Sequence, residues 1–137
     1  MKKLRIRFVV VCLTALSLFT MTIGAFTRAS DYIYDYSIFV YTSGSKIYTD
    51  FSIDASSNMT KIGASSIKIY EYPYGNQDLV SSKTESSTGM AASNTSFYSN
   101  TIAYTGKSDT KYKVVVTVFA RDASGSDSRT ETHYVST

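Results

Sequence analysis

The sequence predicts an all-β protein, a sandwich of two sheets with about seven strands, and two observations carry that prediction. All 12 tyrosines lie beyond residue 30, among many threonines, valines and isoleucines, and leucine occurs there once, at Leu79. These are the residue types that favour strands. Apolar residues alternate there with period two, and turn residues separate the segments at regular intervals, which is the pattern of a sandwich.

The first 29 residues differ sharply from the rest and are predicted to be a signal peptide, forming a helix ahead of the sandwich. Residues 1–7 carry four basic side chains, and residues 8–26 carry no charge. A basic segment, an apolar segment and then small residues are typical of a secretory leader. Cleavage is predicted after Ala29, with Ala25 as the alternative. Residues 30–137 are then one secreted, extracellular domain, attached to a membrane only if the leader stays uncleaved.

Charge and cysteine content argue against nucleic-acid binding and against a disulfide-stabilised domain. The chain has 14 basic and 11 acidic residues, but five of the basic residues lie in the leader. The predicted mature domain is therefore mildly acidic, which gives no electrostatic basis for binding nucleic acid. The only cysteine of the chain, Cys12, also lies in the leader, so the predicted mature domain has none. Packing and backbone hydrogen bonds, rather than disulfides, must stabilise the domain.

The first four strands follow from alternation and from turn residues. In the second strand, Ile47, Phe51 and Ile53 face one side. The third strand turns Ile67 inward and ends at the turn over 73–76. Segment 78–94 holds almost no large apolar residue, so a strand and a flexible loop both remain open there. The predicted strands are 32–41, 46–55, 66–72 and 79–85.

The last three strands include the clearest one, in which Tyr112, Val114 and Val116 alternate inward. In the strand before it, Asn100 interrupts an otherwise apolar face. In the last strand, burial of Tyr134 would place His133 on the outer face. The predicted strands are 96–104, 111–121 and 127–135.

Two resemblances to known families extend this prediction. The segments TKYKVVVTV (110–118) and DASGS (122–126) resemble the last hairpin of immunoglobulin-like and fibronectin type III domains. Tyr112 stands where such domains place a tyrosine corner, although the sequence lacks their tryptophan and cysteine pair. The resemblance implies an immunoglobulin-like or fibronectin type III-like sandwich.

The chain is also similar to a family of small uncharacterised secreted proteins of Gram-positive bacteria. The similarity rests on MTKIGASSI (59–67), YTG (104–106) and residues 112–129, and it implies no known activity. Within the first of these segments, Gly63 is expected to mark the turn into the third strand, because glycine adopts positive φ at little cost.

Hydrolytic chemistry has little support in the sequence. His133 is the only histidine, and there is no G-x-S-x-G motif to position a serine beside it. Asp50 and Asp54 lie about 13 Å apart along a strand, farther than paired glycosidase carboxylates. We therefore expect no catalytic residues and no enzyme activity.

The sequence gives equally little support for a metal or cofactor site. A zinc site has one histidine and no cysteine available to it. Asp122 with Asp127, and Asp31 with Asp35, are candidate calcium ligands, but their spacing departs from an EF-hand loop and aspartate is an ordinary turn residue. We expect no metal and no cofactor.

Six tyrosines form the predicted binding surface. They occur as two Y-x-Y-x-Y triplets, so period two predicts that each triplet lies on one face of its strand. A tyrosine ring offers an apolar surface with a polar tip, which suits contact with sugars and proteins. Cross-strand packing within the sheet is the alternative role. The six are Tyr32, Tyr34, Tyr36, Tyr70, Tyr72 and Tyr74.

The function predicted from these observations is that of a secreted, non-enzymatic binding or adhesion module. Its expected partner is a cell-wall glycan or a surface protein. The alternative is a small secreted effector, either a bacteriocin-like toxin or an enzyme inhibitor. The sequence does not indicate an oligomeric state.

Overall fold

A computed structural model describes residues 32–137, which form eight β-strands in two sheets. The all-β sandwich is confirmed, with one strand more than predicted. The predicted leader over 1–29 lies outside the described residues, and so does its helix. Within 32–137 no helix is long and apolar enough to cross a membrane. The strands are β1 (Ile33–Ser43), β2 (Lys46–Met59), β3 (Lys61–Glu71), β4 (Asp78–Thr84), β5 (Ala91–Ala92), β6 (Thr95–Thr105), β7 (Lys111–Arg121) and β8 (Ser126–Ser136).

The strands pair antiparallel throughout. The three-stranded sheet has the order β1-β2-β6. The five-stranded sheet has the order β4-β3-β7-β8, with the short β5 also paired to β3. The core lies between the sheets, and β2 and β7 supply much of it because each lies inside its sheet. Its buried members include Ile47, Phe51, Ile53, Ile67, Ile69, Tyr112, Val114, Val116 and Val118.

Strand β3 begins at Lys61, five residues earlier than predicted, because Gly63 lies within the strand rather than at a turn. Its φ is 154°, so the expectation of a positive φ is confirmed. The reason is a close approach by β5. A Cβ atom on residue 63 would lie 2.2 Å from the carbonyl oxygen of Met90 and 2.5 Å from the Cα of Ala91. Only glycine fits this crossing without a shift of the backbone.

The segment 78–94, for which a strand and a loop were both open, contains β4, two turns and β5. Met90 is fully buried and fixes the segment to the core. The carbonyl oxygen of Gly89 accepts hydrogen bonds from the hydroxyl of Tyr98 (2.9 Å) and from Nδ2 of Asn100 (2.7 Å). Asn100 thus interrupts the apolar face of β6 because it holds this segment.

In β8, burial of Tyr134 was the condition for an outward-facing His133, and that condition is not met. Tyr134 is 65% exposed, and Val135 packs against the core instead. His133 pairs with Val114 in the register of β7 and β8, so it lies on the side that faces the other sheet. Its Nε2 is 3.1 Å from Oε2 of Glu131. Charged side chains are tolerated on this inner side because β8 is an edge strand, where the space between the sheets is open to water.

A tyrosine-lined groove as the candidate functional site

The first tyrosine triplet does not share one face, and that prediction was wrong. A register shift between Ile33 and Asp35 marks a β-bulge in β1, and a bulge interrupts alternation. As a result Tyr34 is 84% exposed, whereas Tyr32 and Tyr36 are half-buried against the core.

The second triplet also departs from a single strand face, but its members stay close to one another. Tyr70 pairs with Lys113 on the outer face of the five-stranded sheet, with the ammonium nitrogen 5.3 Å from the ring centroid. Tyr72 follows the end of β3, and its ring meets that of Tyr134 edge to face at 6.0 Å. Tyr74 lies in the following turn at φ 49° and is fully exposed.

Two of these tyrosines, Tyr72 and Tyr74, line a groove of about 470 Å³ at one end of the five-stranded sheet. One wall is the turn after β3, and the other is the loop that enters β7. The backbone N–H of Tyr72 donates to the carbonyl of Lys111 (2.9 Å) and joins the two walls at the base. The lining residues are Glu71, Tyr72, Pro73, Tyr74, Gly75, Asp109, Thr110 and Lys111.

Charges of both signs are distributed around the groove. The ammonium group of Lys107 donates to both carboxylate oxygens of Glu71 at 2.9 Å, and this hydrogen bonding raises the pKa of Lys107. Asp109 and Lys111 are exposed on the opposite wall. Opposite charges are thus balanced at the site, which suits an uncharged polar ligand better than a strongly charged one.

Two anchors hold the loop wall in place. The hydroxyl of Tyr112 accepts a hydrogen bond from the backbone N–H of Lys107 (2.8 Å). Thr137 exchanges hydrogen bonds with Thr110, since its N–H donates to the Thr110 carbonyl (3.1 Å) and its Oγ1 accepts from the Thr110 N–H (3.3 Å). A loop fixed by a buried tyrosine and by the adjacent strand presents its side chains with little conformational cost on binding.

Sequence reasoning missed three residues at this site. Asp109 and Lys111 come next to Tyr72 only through the register of β3 on β7, which no local pattern specifies. Tyr134, whose exposed ring meets that of Tyr72, was considered only as a candidate for burial. Val135, its neighbour in β8, is also apolar, and adjacent strand residues face opposite sides, so either one could have been the buried residue.

The other residues considered from the sequence lie elsewhere. Oδ1 of Asp122 accepts from the backbone N–H groups of Ser124 (2.6 Å) and Gly125 (3.1 Å), which is turn geometry. Asp31 lies outside the described residues. Among residues 32–137 there is no group of three His, Cys, Asp or Glu side chains arranged to hold a metal ion.

Comparison with known proteins yields a structural similarity at low sequence identity. No protein-family model and no curated protein matches the chain. The fold is similar to that in the crystal structure of Spo0M, a sporulation control protein from Bacillus subtilis, with a TM-score of 0.43 and 9% sequence identity. The match covers 75% of this chain and 49% of that one, so it spans about half of that protein's length.

Proposed function

We propose that this protein is a secreted, non-enzymatic binding module that recognises a glycan chain through the tyrosine-lined groove. The observation that carries the proposal is the groove itself, where Tyr72, Pro73 and Tyr74 form one wall opposite a hydrogen-bonded loop. Aromatic rings stack on the C–H faces of sugars while their hydroxyls stay available for hydrogen bonds. The balanced charges of the rim favour a neutral polysaccharide, such as a cell-wall glycan.

Immunoglobulin-like or fibronectin type III-like character is part of the proposal. It is supported by the strand order, in which β3, β7 and β8 lie side by side as the C, F and G strands of immunoglobulin domains do. A second support is Tyr112, whose hydroxyl binds the backbone five residues upstream, in the manner of a tyrosine corner.

Secretion is proposed from the leader-like residues 1–29 and from the resemblance to secreted proteins of Gram-positive bacteria. N-terminal sequencing of protein recovered from culture medium tests it. A chain starting at Ser30 or Phe26 is expected. Recovery of the intact leader, with the protein in the membrane fraction, would contradict free secretion.

A non-enzymatic role is proposed because His133 is held elsewhere in the fold. Its ring is paired with Glu131 on the inner side of β8, and neither residue lines the groove. If a hydrolytic activity on a wall glycan is detected and is abolished by His133→Ala, the non-enzymatic proposal is wrong.

Binding is tested by retention of the purified protein on an insoluble neutral wall polysaccharide and by titration with its soluble oligomers. Tyr74→Ala is the principal variant, because a fully exposed side chain contributes nothing to the core. Loss of one stacking contact is expected to weaken binding about tenfold, equivalent to about 1.4 kcal/mol.

Tyr34→Ala is the matched control. Tyr34 is also highly exposed, but it lies at the start of β1, at the same end of the three-stranded sheet as the start of β6. The groove adjoins the loop after the end of β6, at the opposite end. The control is expected to bind as the unaltered protein does. Equal losses in both variants, or no loss in Tyr74→Ala, would show that the groove is not the binding site.

A further inference from the structure

The outer face of the three-stranded sheet carries a second group of exposed aromatic side chains. Phe39 is 65% exposed and Tyr41 is 46% exposed. Tyr41 and Tyr48 are cross-strand partners whose rings stack at 5.2 Å between centroids, with 14° between their planes. Exposed aromatic clusters on a sheet are uncommon unless something binds there.

A depression of about 250 Å³ lies on the same sheet, and Asp50, the cross-strand partner of Phe39, is part of its lining. Its walls are rich in hydroxyl groups, and the hydroxyls of Ser37 and Ser52 lie 2.7 Å apart in a hydrogen bond. Its volume is below the range of roughly 300–1,000 Å³ found for drug-sized ligands, so it suits a single sugar ring. The lining residues are Ser37, Asp50, Phe51, Ser52, Ser99, Asn100 and Thr101.

Asp50 is the one ionisable side chain that lines the depression, among the described residues. Its Oδ1 atom is buried and has no hydrogen-bond partner within residues 32–137. A carboxylate only accepts hydrogen bonds, and a buried acceptor without a donor is unfavourable. A cationic donor bound where the Asp50 carboxylate lines the depression would stabilise its negative charge.

The surrounding charge favours a cationic donor. Asp35 and Asp54 are cross-strand partners on β1 and β2, and their like charges add to that of Asp50. In the sequences of β1, β2 and β6 the only lysine or arginine is Lys46, which lies at the hairpin end beside Ser43. A cation near Asp50 is attracted by these carboxylates and also by the faces of the tyrosine rings.

We propose that this depression binds an amino sugar, a hexose that carries a free ammonium group. The ammonium group donates to Asp50, the hydroxyls pair with Ser37 and Ser52, and the ring face stacks on Phe39 and Tyr41. Neutral sugars lack the charge, and simple amines lack the hydroxyls and the stacking face. This site goes beyond the groove of the proposed function, because it lies on the other sheet and involves different residues.

The test compares a β-1,4-linked glucosamine tetramer with the N-acetylated tetramer by NMR titration of the full protein. Binding is read at the resonances of Ser37, Ser52 and Thr101, which line the depression, so that binding in the groove is followed separately. The glucosamine tetramer is expected to bind, and the N-acetylated form to bind at least about tenfold more weakly, since acetylation removes the charge. Absence of glucosamine binding at millimolar concentration, or equal binding of both tetramers, overturns the proposal.

Variants locate the site. Asp50→Asn keeps the shape and removes the charge, and it is expected to lose about tenfold in affinity for the glucosamine tetramer. Asp54→Asn makes the same change of charge on the same face outside the depression, and it is expected to lose no more than about twofold. Equal losses would mean that the whole face attracts cations without a specific site, which contradicts the proposal.

Two further variants serve as controls. One tests the depression without altering Asp50, and the other tests whether amino-sugar binding is independent of the groove. Phe39→Ala removes an exposed ring, so it is expected to weaken amino-sugar binding even if Asp50→Asn proves unstable. Unchanged binding in Phe39→Ala contradicts the stacking contact. Tyr74→Ala lies in the groove and is expected to leave amino-sugar binding intact, so either site can fail without the other.

Discussion

The close pairing of β5 with β3 makes Gly63 a backbone position with no room for a side chain, and Gly63→Ala tests that reason. Gly44 offers the matched control, because it also has positive φ (57°), yet a Cβ there meets nothing within 4 Å. Gly44→Ala therefore carries only the cost of a left-handed L-residue, about 1–2 kcal/mol.

Gly63→Ala carries more than this cost. Its Cβ would stand 2.2 Å from the carbonyl oxygen of Met90, so the backbone of β5 must move by about 1 Å to reach an ordinary contact distance. That movement stretches the hydrogen bond from the N–H of Ala64 to the same carbonyl, now 2.7 Å. Overpacking costs about 1–3 kcal/mol and a weakened buried hydrogen bond about 1–3 kcal/mol. Together with the unfavourable φ, these costs are expected to lower the free energy of unfolding of Gly63→Ala by about 3–8 kcal/mol.

Urea unfolding followed by tyrosine fluorescence or circular dichroism measures both variants. With a slope of about 2 kcal/mol per molar, a loss of 4 kcal/mol lowers the midpoint by about 2 M, against about 0.5–1 M for Gly44→Ala. If the two midpoints fall by the same amount, the close approach of β5 to Gly63 is not what excludes a side chain.

Two further predictions concern single polar groups. Tyr112→Phe leaves the N–H of Lys107 without its acceptor, so it should lower the free energy of unfolding by about 1 kcal/mol. Calorimetry should show a fall of about 4 °C in Tm. An unchanged Tm would mean that the hydroxyl does not hold this loop in place. Hydrogen bonds from Arg121 and Lys61 lower the pKa of Glu85 from its ordinary value of 4.5. The Glu85 carboxylate therefore stabilises the fold fully above pH 4.5, and this stabilisation is lost as the pH falls through the lowered pKa. Chemical denaturation at pH 7 should therefore show a free energy of unfolding about 1 kcal/mol lower for Glu85→Gln than for the unaltered protein, and this difference should disappear in acid. A difference that stays constant with pH would contradict the ion pairs as its cause.

The sequence predicted the central strands well because one face of each is buried and the contrast between faces is strong. In β7 the predicted and observed bounds coincide, from Lys111 to Arg121. In β2 the inner residues from Ile47 to Ile53 were assigned correctly. Both strands have neighbours on each side, so burial is decided by side-chain polarity alone.

Elsewhere the decisive contacts are long-range and leave little local signal. The bulge near Tyr34 is a property of the pairing of β1 with β2, and alternation taken alone misplaces the tyrosines around it. Polar residues such as Glu131 and His133 occupy the inner side of β8 because an edge strand is only half covered. The tyrosine-lined groove depends on the register that brings Lys111 beside Tyr72, so its tyrosines were predictable and its far wall was not.

The order of the strands also has a kinetic consequence. Hairpins such as β1–β2 and β7–β8 join neighbours in the chain, but each sheet is completed by a pairing between distant segments. Phe51 pairs with Asn100, and Ile67 pairs with Val116, both across about 50 residues. Closing such loops is slow, so we expect refolding in milliseconds to seconds, measurable by stopped-flow fluorescence. The hairpins are expected to form first, and the two long-range pairings then join them in a single rate-limiting step.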